Sequence, residues 1–328
     1  MPSHRITRRR FGAATGAAAA TLLAPRAFAQ AWPAKPLRVI VPYTPGGFTD
    51  ITARLVTQRL QDRLGQSVII ENKPGANSIV GVDLLAKAPA DGYTFAVVIA
   101  AFAANATLYP KLPYDTRKDF APVSLIGVSP LLAAVNKDAP YKTVSELVDF
   151  ARRNPGKISF GSSGNGSAAH LTTELLRSST QTQLVHVPYK GAAPALTDLM
   201  GGHIQLLMDA AVGLLNPGKE GKVRLIGVAS DKRLPVAPDV PTFIEQGIDG
   251  FTGSTWAGML APAGTSPAIV KRVADEVAAI VKLDDVRELF EGMGTIPVGS
   301  TPAEFETFIG SEVAKWGKVI REGKITAE

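Results

Sequence analysis

The chain has 328 residues, 45% hydrophobic and 20% charged, with no Cys and four His. A length near 300 suggests two domains, and the absence of Cys excludes disulfides, Cys-based metal centres and a lipid-acceptor cysteine. The formal charge of +6 is no sign of nucleic-acid binding. The first 29 residues hold five Arg and no acid, so 35 basic residues less those five leave 30 against 29 acidic ones. No basic stripe with interleaved aromatics follows.

Residues 1–29 read as a cleaved export signal. His4-Arg5 and Arg8-Arg9-Arg10 give a basic start, Phe11 to Leu23 an alanine-rich apolar core, and Ala27-Phe28-Ala29 a small-x-small cleavage site. Thr7-Arg8-Arg9-Arg10-Phe11 matches the twin-arginine form of such signals. The apolar core is too short for a membrane anchor, and no other apolar run in the chain is long enough. The mature chain, from about Gln30, is expected to be soluble and periplasmic.

Leu37 to Val41 is short, apolar and β-branched, as a strand buried on both faces would be. The stretch VPYTPGGFTD, Val41 to Asp50, follows. Ile51, Leu55, Val56, Leu60 and Leu64 then recur at helical spacing up to Gly65, with Thr49 placed to cap the helix. A helix start approached through glycines leaves bare backbone N–H groups, a geometry that attracts carboxylates and phosphates. Taken alone, the Gly-Gly pair serves a tight turn equally well.

Ser67 to Glu71 predicts a second strand, ended by Asn72-Lys73-Pro74-Gly75; Ile79 to Ala88 predicts a helix and Tyr93 to Ala100 a strand. Thr143-Val144-Ser145-Glu146 is a capping box opening a helix through Arg153. Ile158 to Phe160 and Val185 to Val187 are short strands flanking a helix around His170 to Leu176, and Ile204 to Met208 and Arg224 to Val228 are two more. Thr301-Pro302-Ala303-Glu304 caps a last amphipathic helix through Trp316. This alternation predicts an α/β protein with mainly parallel sheets, and no internal repeat is found.

Two further stretches repeat the strand–glycine–helix grammar. Gly161-Ser162-Ser163-Gly164-Asn165-Gly166-Ser167 adds hydroxyl donors to the glycines, and Val187-Pro188-Tyr189-Lys190-Gly191 adds an aromatic and a cation. Asp209 ends a strand. Ligands in open α/β sheets sit at the carboxyl ends of strands, where all these features fall, so a binding cleft is the favoured reading. His170, His186 and Trp256 are expected to pack or bond locally, Lys190 to be solvated, and Arg54, on the polar face of the first helix, to make a lobe-stabilising pair.

The chain resembles the extracytoplasmic substrate-binding proteins of tripartite tricarboxylate transporters, the Bug family. The resemblance spans nearly the whole mature sequence: Trp32-Pro33, VPYTPGGFTD with Ala53-Arg54, Glu71-Asn72-Lys73-Pro74-Gly75, Asp91-Gly92-Tyr93, Leu112-Pro113-Tyr114-Asp115, Lys118-Asp119-Phe120-Ala121-Pro122-Val123, GSSGNGS with His170, VPYKG, Asp239-Val240-Pro241-Thr242, Ala261-Pro262-Ala263-Gly264-Thr265 and Lys315-Trp316. It implies a two-lobed type II periplasmic-binding-protein fold that closes like a Venus flytrap. Crossings are expected near Gly127 to Pro130 and Gly253 to Gly258. Lobe 1 would be residues 30–127 plus 255–328 and lobe 2 residues 128–254.

The resemblance further implies a solute-binding protein, without catalytic residues, cofactor or metal, that captures a small carboxylate and delivers it to membrane permease subunits. A monomer with no nucleic-acid partner is expected. Carried over, the ligand contacts are Tyr43, Gly46, Gly47, Thr49, Asp50 and Ala101 on one lobe, and Ser162, Ser163, Asn165, Gly166, Ser167, Tyr189 and Asp209 on the other. Ala100-Ala101-Phe102 and Ala210-Ala211-Val212 stand where the family commonly carries polar residues. The expected ligand therefore has one carboxylate and a less polar remainder, rather than being citrate.

Two enzyme signatures fail. Gly213 to Lys219 fits the first part of a P-loop, but Glu220 stands where Ser or Thr must hold magnesium. Gly161 to Asn165 misses the nucleophile elbow at its last position, so a Ser163–His170–Asp209 hydrolase is the weaker alternative. A ligand sensor for a signalling partner is the other.

Overall fold

Strands and helices alternate as the apolar spacing requires across residues 32–327, the span that the computed structural model describes. The expected export signal lies outside the described residues. In chain order the elements are β1 (Leu37–Val41), α1 (Phe48–Leu64), β2 (Val68–Asn72), α2 (Ile79–Ala86), β3 (Thr94–Val98), α3 (Ala101–Leu108), β4 (Phe120–Asn136), α4 (Val144–Arg153), β5 (Ile158–Ser162) and α5 (Ala168–Thr180). They continue with β6 (Leu184–Pro188), α6 (Ala192–Met200), β7 (Leu206–Ala210), α7 (Ala211–Lys219), β8 (Val223–Val228), β9 (Ser254–Pro262), α8 (Pro267–Ile280), α9 (Asp284–Gly292), β10 (Ile296–Pro297) and α10 (Pro302–Gly323). Among the described residues no helix is long and apolar enough to cross a membrane.

The strands run in the order β2-β1-β3-β9-β4-β7-β5-β6, with β8 and β10 also on β4. Parallel pairing holds in β2–β1–β3 and in β6–β5–β7. The long strands β4 and β9 are antiparallel to their neighbours and make the sheet mixed. β4 changes partners partway. Phe120 to Pro130 pair with β9, ending at Pro130 opposite Ser254, and from Leu131 onward the partners are β7 and β8. Gly253 bridges the same changeover: its carbonyl accepts from the Leu131 N–H and its own N–H donates to the Ala229 carbonyl.

Apolar cores build up on either side of that changeover. One gathers Ile40, Phe102, Phe120, Trp256, Phe305 and Trp316 under α3 and α10. Others form around Leu131, Phe160 and Phe243, and around Leu132, Leu207 and Leu214. Trp256 is fully buried in the first, where its indole and that of Trp316 both donate to Glu312 Oε2 at 2.9 and 2.8 Å. It packs, as expected, and does not face a cleft.

Several local expectations shift. Gly47, not Thr49, is the N-cap of α1, and Thr49 lies buried in the first turn. The strand expected through Ala100 stops at Val98, and α3 begins at once, with the Phe102 N–H on the Ile99 carbonyl. The run Ala100-Ala101-Phe102-Ala103-Ala104 has high helix propensity, and alternation alone did not separate it from a buried strand. The box at Thr301 and Glu304 is complete. At Thr143 only half forms, because the Glu146 carboxylate accepts from the Lys142 N–H instead.

Candidate functional site

The carboxyl end of β1 opens into Tyr43 to Gly47 and then α1. Thr44 to Gly47 are exposed, and Gly46 takes φ 84°, a conformation for which glycine is the natural residue. Asp50, buried in the first turn, ties the loop down: Oδ2 accepts from the Gly46 N–H at 3.0 Å and from Arg54 Nε at 2.9 Å, and Oδ1 accepts from Asn72 Nδ2 at 2.9 Å. Burial raises its pKa, but the bonds from Arg54, Gly46 and Asn72 outweigh that and hold the carboxyl below its ordinary value. Asp50 thus shapes the loop, and it also occupies the Gly46 N–H. Among the described residues, the N–H groups of Gly47, Phe48 and Thr49 have no hydrogen-bond partner. They point out of a helix start that no side chain caps, so an anion can take them.

At the neighbouring strand ends, Ala101 begins α3 and is buried. The loop 73–78 leaves β2 and enters α2 through Ala76, Asn77 and Ser78, all at positive φ (45°, 49° and 78°). Each such residue costs about 1–2 kcal/mol unless the surroundings enforce it. Asn105 does so here: its Nδ2 donates to the Asn77 carbonyl and its Oδ1 accepts from Asn77 Nδ2, both at 2.8 Å. The turn residues Asn72-Lys73-Pro74-Gly75 do not by themselves reveal these three conformations. The signal was present in Asn77, since Asn tolerates the left-handed region.

The GSSGNGS loop leaves β5 and enters α5. Most of its donors and acceptors are already paired. Ser162 Oγ accepts from the Gly164 N–H at 3.2 Å and lies 2.7 Å from His186 Nε2. The Gly166 N–H donates to His170 Nδ1 at 3.1 Å, and Ser167 Oγ caps α5 by accepting from the His170 N–H at 3.2 Å. Asn165 Nδ2 donates to the Ala327 carbonyl of the C-terminal tail at 3.2 Å. Ser163 is exposed and keeps its hydroxyl free. His170 and His186 stack at 3.7 Å and are driven to pKa values of about 3 and 4, by burial above all. Both stay neutral and serve the loop, as the sequence suggested.

Gly166 is where the β5–α5 loop packs closely against α3 and the 73–78 loop. A Cβ there would overlap Leu108 Cδ2 of α3 and stand 3.2 Å from Asn77 Nδ2, and its φ of 75° already disfavours a side chain. Tyr189 uses its hydroxyl on Asp198 Oδ2 at 2.5 Å, and burial with that carboxylate pushes its pKa up to about 12. Asp209, at the end of β7 opposite Leu132, has no side-chain hydrogen bond; burial pushes its pKa up to about 6, the Ala210 N–H offsetting only part. Its Oδ2 lies beside Gly213 on α7.

The predicted residues thus sit at the carboxyl ends of β1, β3, β5, β6 and β7, and Gly166 packs the β5 loop against α3 and the 73–78 loop. Their chemistry is unequal. The β1 loop offers open N–H groups, whereas the β5 loop has mostly closed its donors on itself. Two surface hollows lie elsewhere, one between α5 and α10 lined by Glu174, Arg177 and Gln181, the other lined by Thr116, Arg117 and Phe120. Neither contains a sequence-predicted residue.

Comparison with known proteins agrees in family and in fold. The family described as "Tripartite tricarboxylate transporter family receptor" matches residues 52–325. Protein BugT of Bordetella pertussis strain Tohama I is 36% identical over 296 residues, covering 90% of this chain and 91% of BugT. A Rhodopseudomonas palustris protein solved with adipate superposes at TM-score 0.84 with 35% identity, covering 90% of this chain and 99% of that one. MatC of the same organism, solved with bound malate, gives TM-score 0.80 and 32% identity, covering 88% and 100%. Superposition this complete assigns the chain the two-lobed type II periplasmic-binding-protein fold.

Proposed function

Since the chain belongs to the tripartite tricarboxylate transporter receptor family, we propose that it captures a small carboxylate between its lobes and hands it to the membrane subunits of such a transporter. The observation that carries this reading is the uncapped start of α1. Gly47, Phe48 and Thr49 present three N–H groups at the end of a buried strand, in a loop that Asp50 holds open. One carboxylate oxygen pair satisfies such a cradle without a counter-charge, because the helix start supplies partial positive charge. Ser163, on the facing loop, supplies a hydroxyl.

We take lobe 1 as residues 30–127 with 255–328 and lobe 2 as 128–254. The ligand contacts are Tyr43, Gly46, Gly47, Thr49, Asp50, Ala101, Ser162, Ser163, Asn165, Gly166, Ser167, Tyr189 and Asp209, some through the loop shape they set. A ligand that bridges both lobes populates the closed form because only that form makes both sets of contacts. The protein works as a monomer in the periplasm after twin-arginine export and catalyses no reaction. The ligand carries one carboxylate and a less polar remainder.

A thermal-shift screen against monocarboxylates, adipate, malate and citrate tests the reading, because ligand that binds only the folded state raises Tm by mass action. A rise with a carboxylate, lost in Gly47→Asp and in Ser163→Asp, is expected. Full affinity in both variants would refute the site. Citrate binding tighter than every monocarboxylate would refute the ligand class.

A further inference from the structure

The loop that carries Ser163 is tied to a segment far from it in sequence. Asn165, two residues on, lies between Gly164 and Gly166, whose φ values of 129° and 75° are conformations that side-chain-bearing residues rarely adopt. Its backbone is therefore flanked by two swivel points. The ties within the loop are local: Ser162 Oγ accepts from the Gly164 N–H, the Ser167 N–H donates to the Gly164 carbonyl, and the Gly166 N–H donates to His170 Nδ1. These bonds set the turn, and none of them uses the Asn165 side chain. That side chain reaches past α10 instead, where its Nδ2 donates to the Ala327 carbonyl at 3.2 Å.

The Ala327 carbonyl is itself held in place. Lys324 ends α10 in the left-handed conformation, φ 51°, and reverses the chain. The Ile325 N–H then donates to the Ile320 carbonyl at 3.0 Å. Ile325 and Ala327 pack against the cluster of Phe102, Trp316 and Ile320, in which Leu171 of α5 is also buried. Residues 324–327 are thus anchored on the lobe 1 side, at a helix end and on a core, and meet a loop of lobe 2 as the boundaries are taken above. A carbonyl only accepts, so it selects the amide nitrogen of Asn165 and fixes which way round the amide lies.

Such a bond bears on affinity without touching ligand. A loop free to turn at two glycines has to be ordered when ligand arrives, and that ordering is subtracted from the binding free energy. A loop pinned beforehand avoids the loss. We propose that residues 324–327 position the ligand loop, the Ala327 carbonyl holding Asn165 and so pre-setting the turn that presents Ser163. Asn165 is then a positioning residue rather than a ligand contact. The proposal rests on the carboxylate-binding reading given above and concerns how the same site is kept in shape.

A double-mutant cycle read by isothermal titration calorimetry tests it, with butanoate, adipate and malate as probes and Tm measured beside each affinity. The variants are Asn165→Ala, a chain ended at Ile325, and the two combined. Insertion of two glycines after Ile325, which displaces the carbonyl and keeps every residue, serves if the shortened chain does not fold. Each single change is expected to weaken binding of the tightest probe about fivefold, the worth of one neutral hydrogen bond. The combined variant should bind no more weakly than either single one, because both remove the same tie. A full further loss from Asn165→Ala in the shortened or extended chain would show that Asn165 touches ligand directly, and would overturn the proposal. A lower Tm with unchanged affinity in the single variants would overturn it too, leaving the bond a purely structural role. If the unaltered chain binds none of the three probes, the carboxylate reading itself is refuted, an outcome visible before any variant is made.

Discussion

Replacing Asp209 by Asn should stabilise the protein at neutral pH and leave it unchanged in acid. The carboxyl ends β7, has no side-chain partner, and is pushed by burial to about 6 from an ordinary 3.8. A carboxyl whose folded pKa is raised contributes its stability below the unfolded value and loses it as pH rises through the folded value. The window here runs from 3.8 to 6. Two pKa units correspond to about 3 kcal/mol of penalty above pH 7, at roughly 1.4 kcal/mol per unit. Asn keeps the shape and removes the charge, so urea unfolding of the ligand-free variant should show a gain approaching that figure at pH 7.5. The gain should fade to nothing by pH 4. A Tm rise of several degrees, on the order of 2 °C per kcal/mol, accompanies it. An equal gain at both pH values would show that packing and not ionisation is responsible. A loss at pH 7.5 would show that the carboxylate has a partner and that the reasoning is wrong.

Three other outcomes follow from the same geometry. Asp50→Ala should cost about 2–3 kcal/mol in urea unfolding, because the Gly46 N–H, Arg54 and Asn72 lose a shared buried acceptor. It should also weaken carboxylate binding even though it removes negative charge from the cradle, and tighter binding would show that Asp50 only repels ligand. Gly166→Ala should cost about 3 kcal/mol between its φ of 75° and the overlap with Leu108, and should lower ligand affinity by opposing the approach of the two loops. Unchanged affinity would place Gly166 outside the closing contact. His170 and His186, held near 3 and 4 by burial, are neutral in the folded chain and protonate near 6.5 once unfolded. Stability should therefore fall by several kcal/mol as pH drops from 6.5 toward 4, and a profile flat over that range in chemical denaturation would refute the buried-pair account.

What could be read from the sequence follows how local each signal is. The β1–α1 turn was legible because it is written in neighbouring residues: an apolar run, two glycines and a helical repeat ending at Gly65. The complete box at Thr301 was legible for the same reason. The role of Asp50 was not, since its partner Asn72 comes from β2 and only folding brings the two together. Ser162 and Ser167 looked like open donors, because nothing in their spacing reveals that His186 and the His170 N–H take those hydroxyls. A cradle made of backbone can be seen in a motif, because the motif sets the backbone. A subsite made of side chains from remote segments is set by packing, and the ligand's identity depends on that second kind of site.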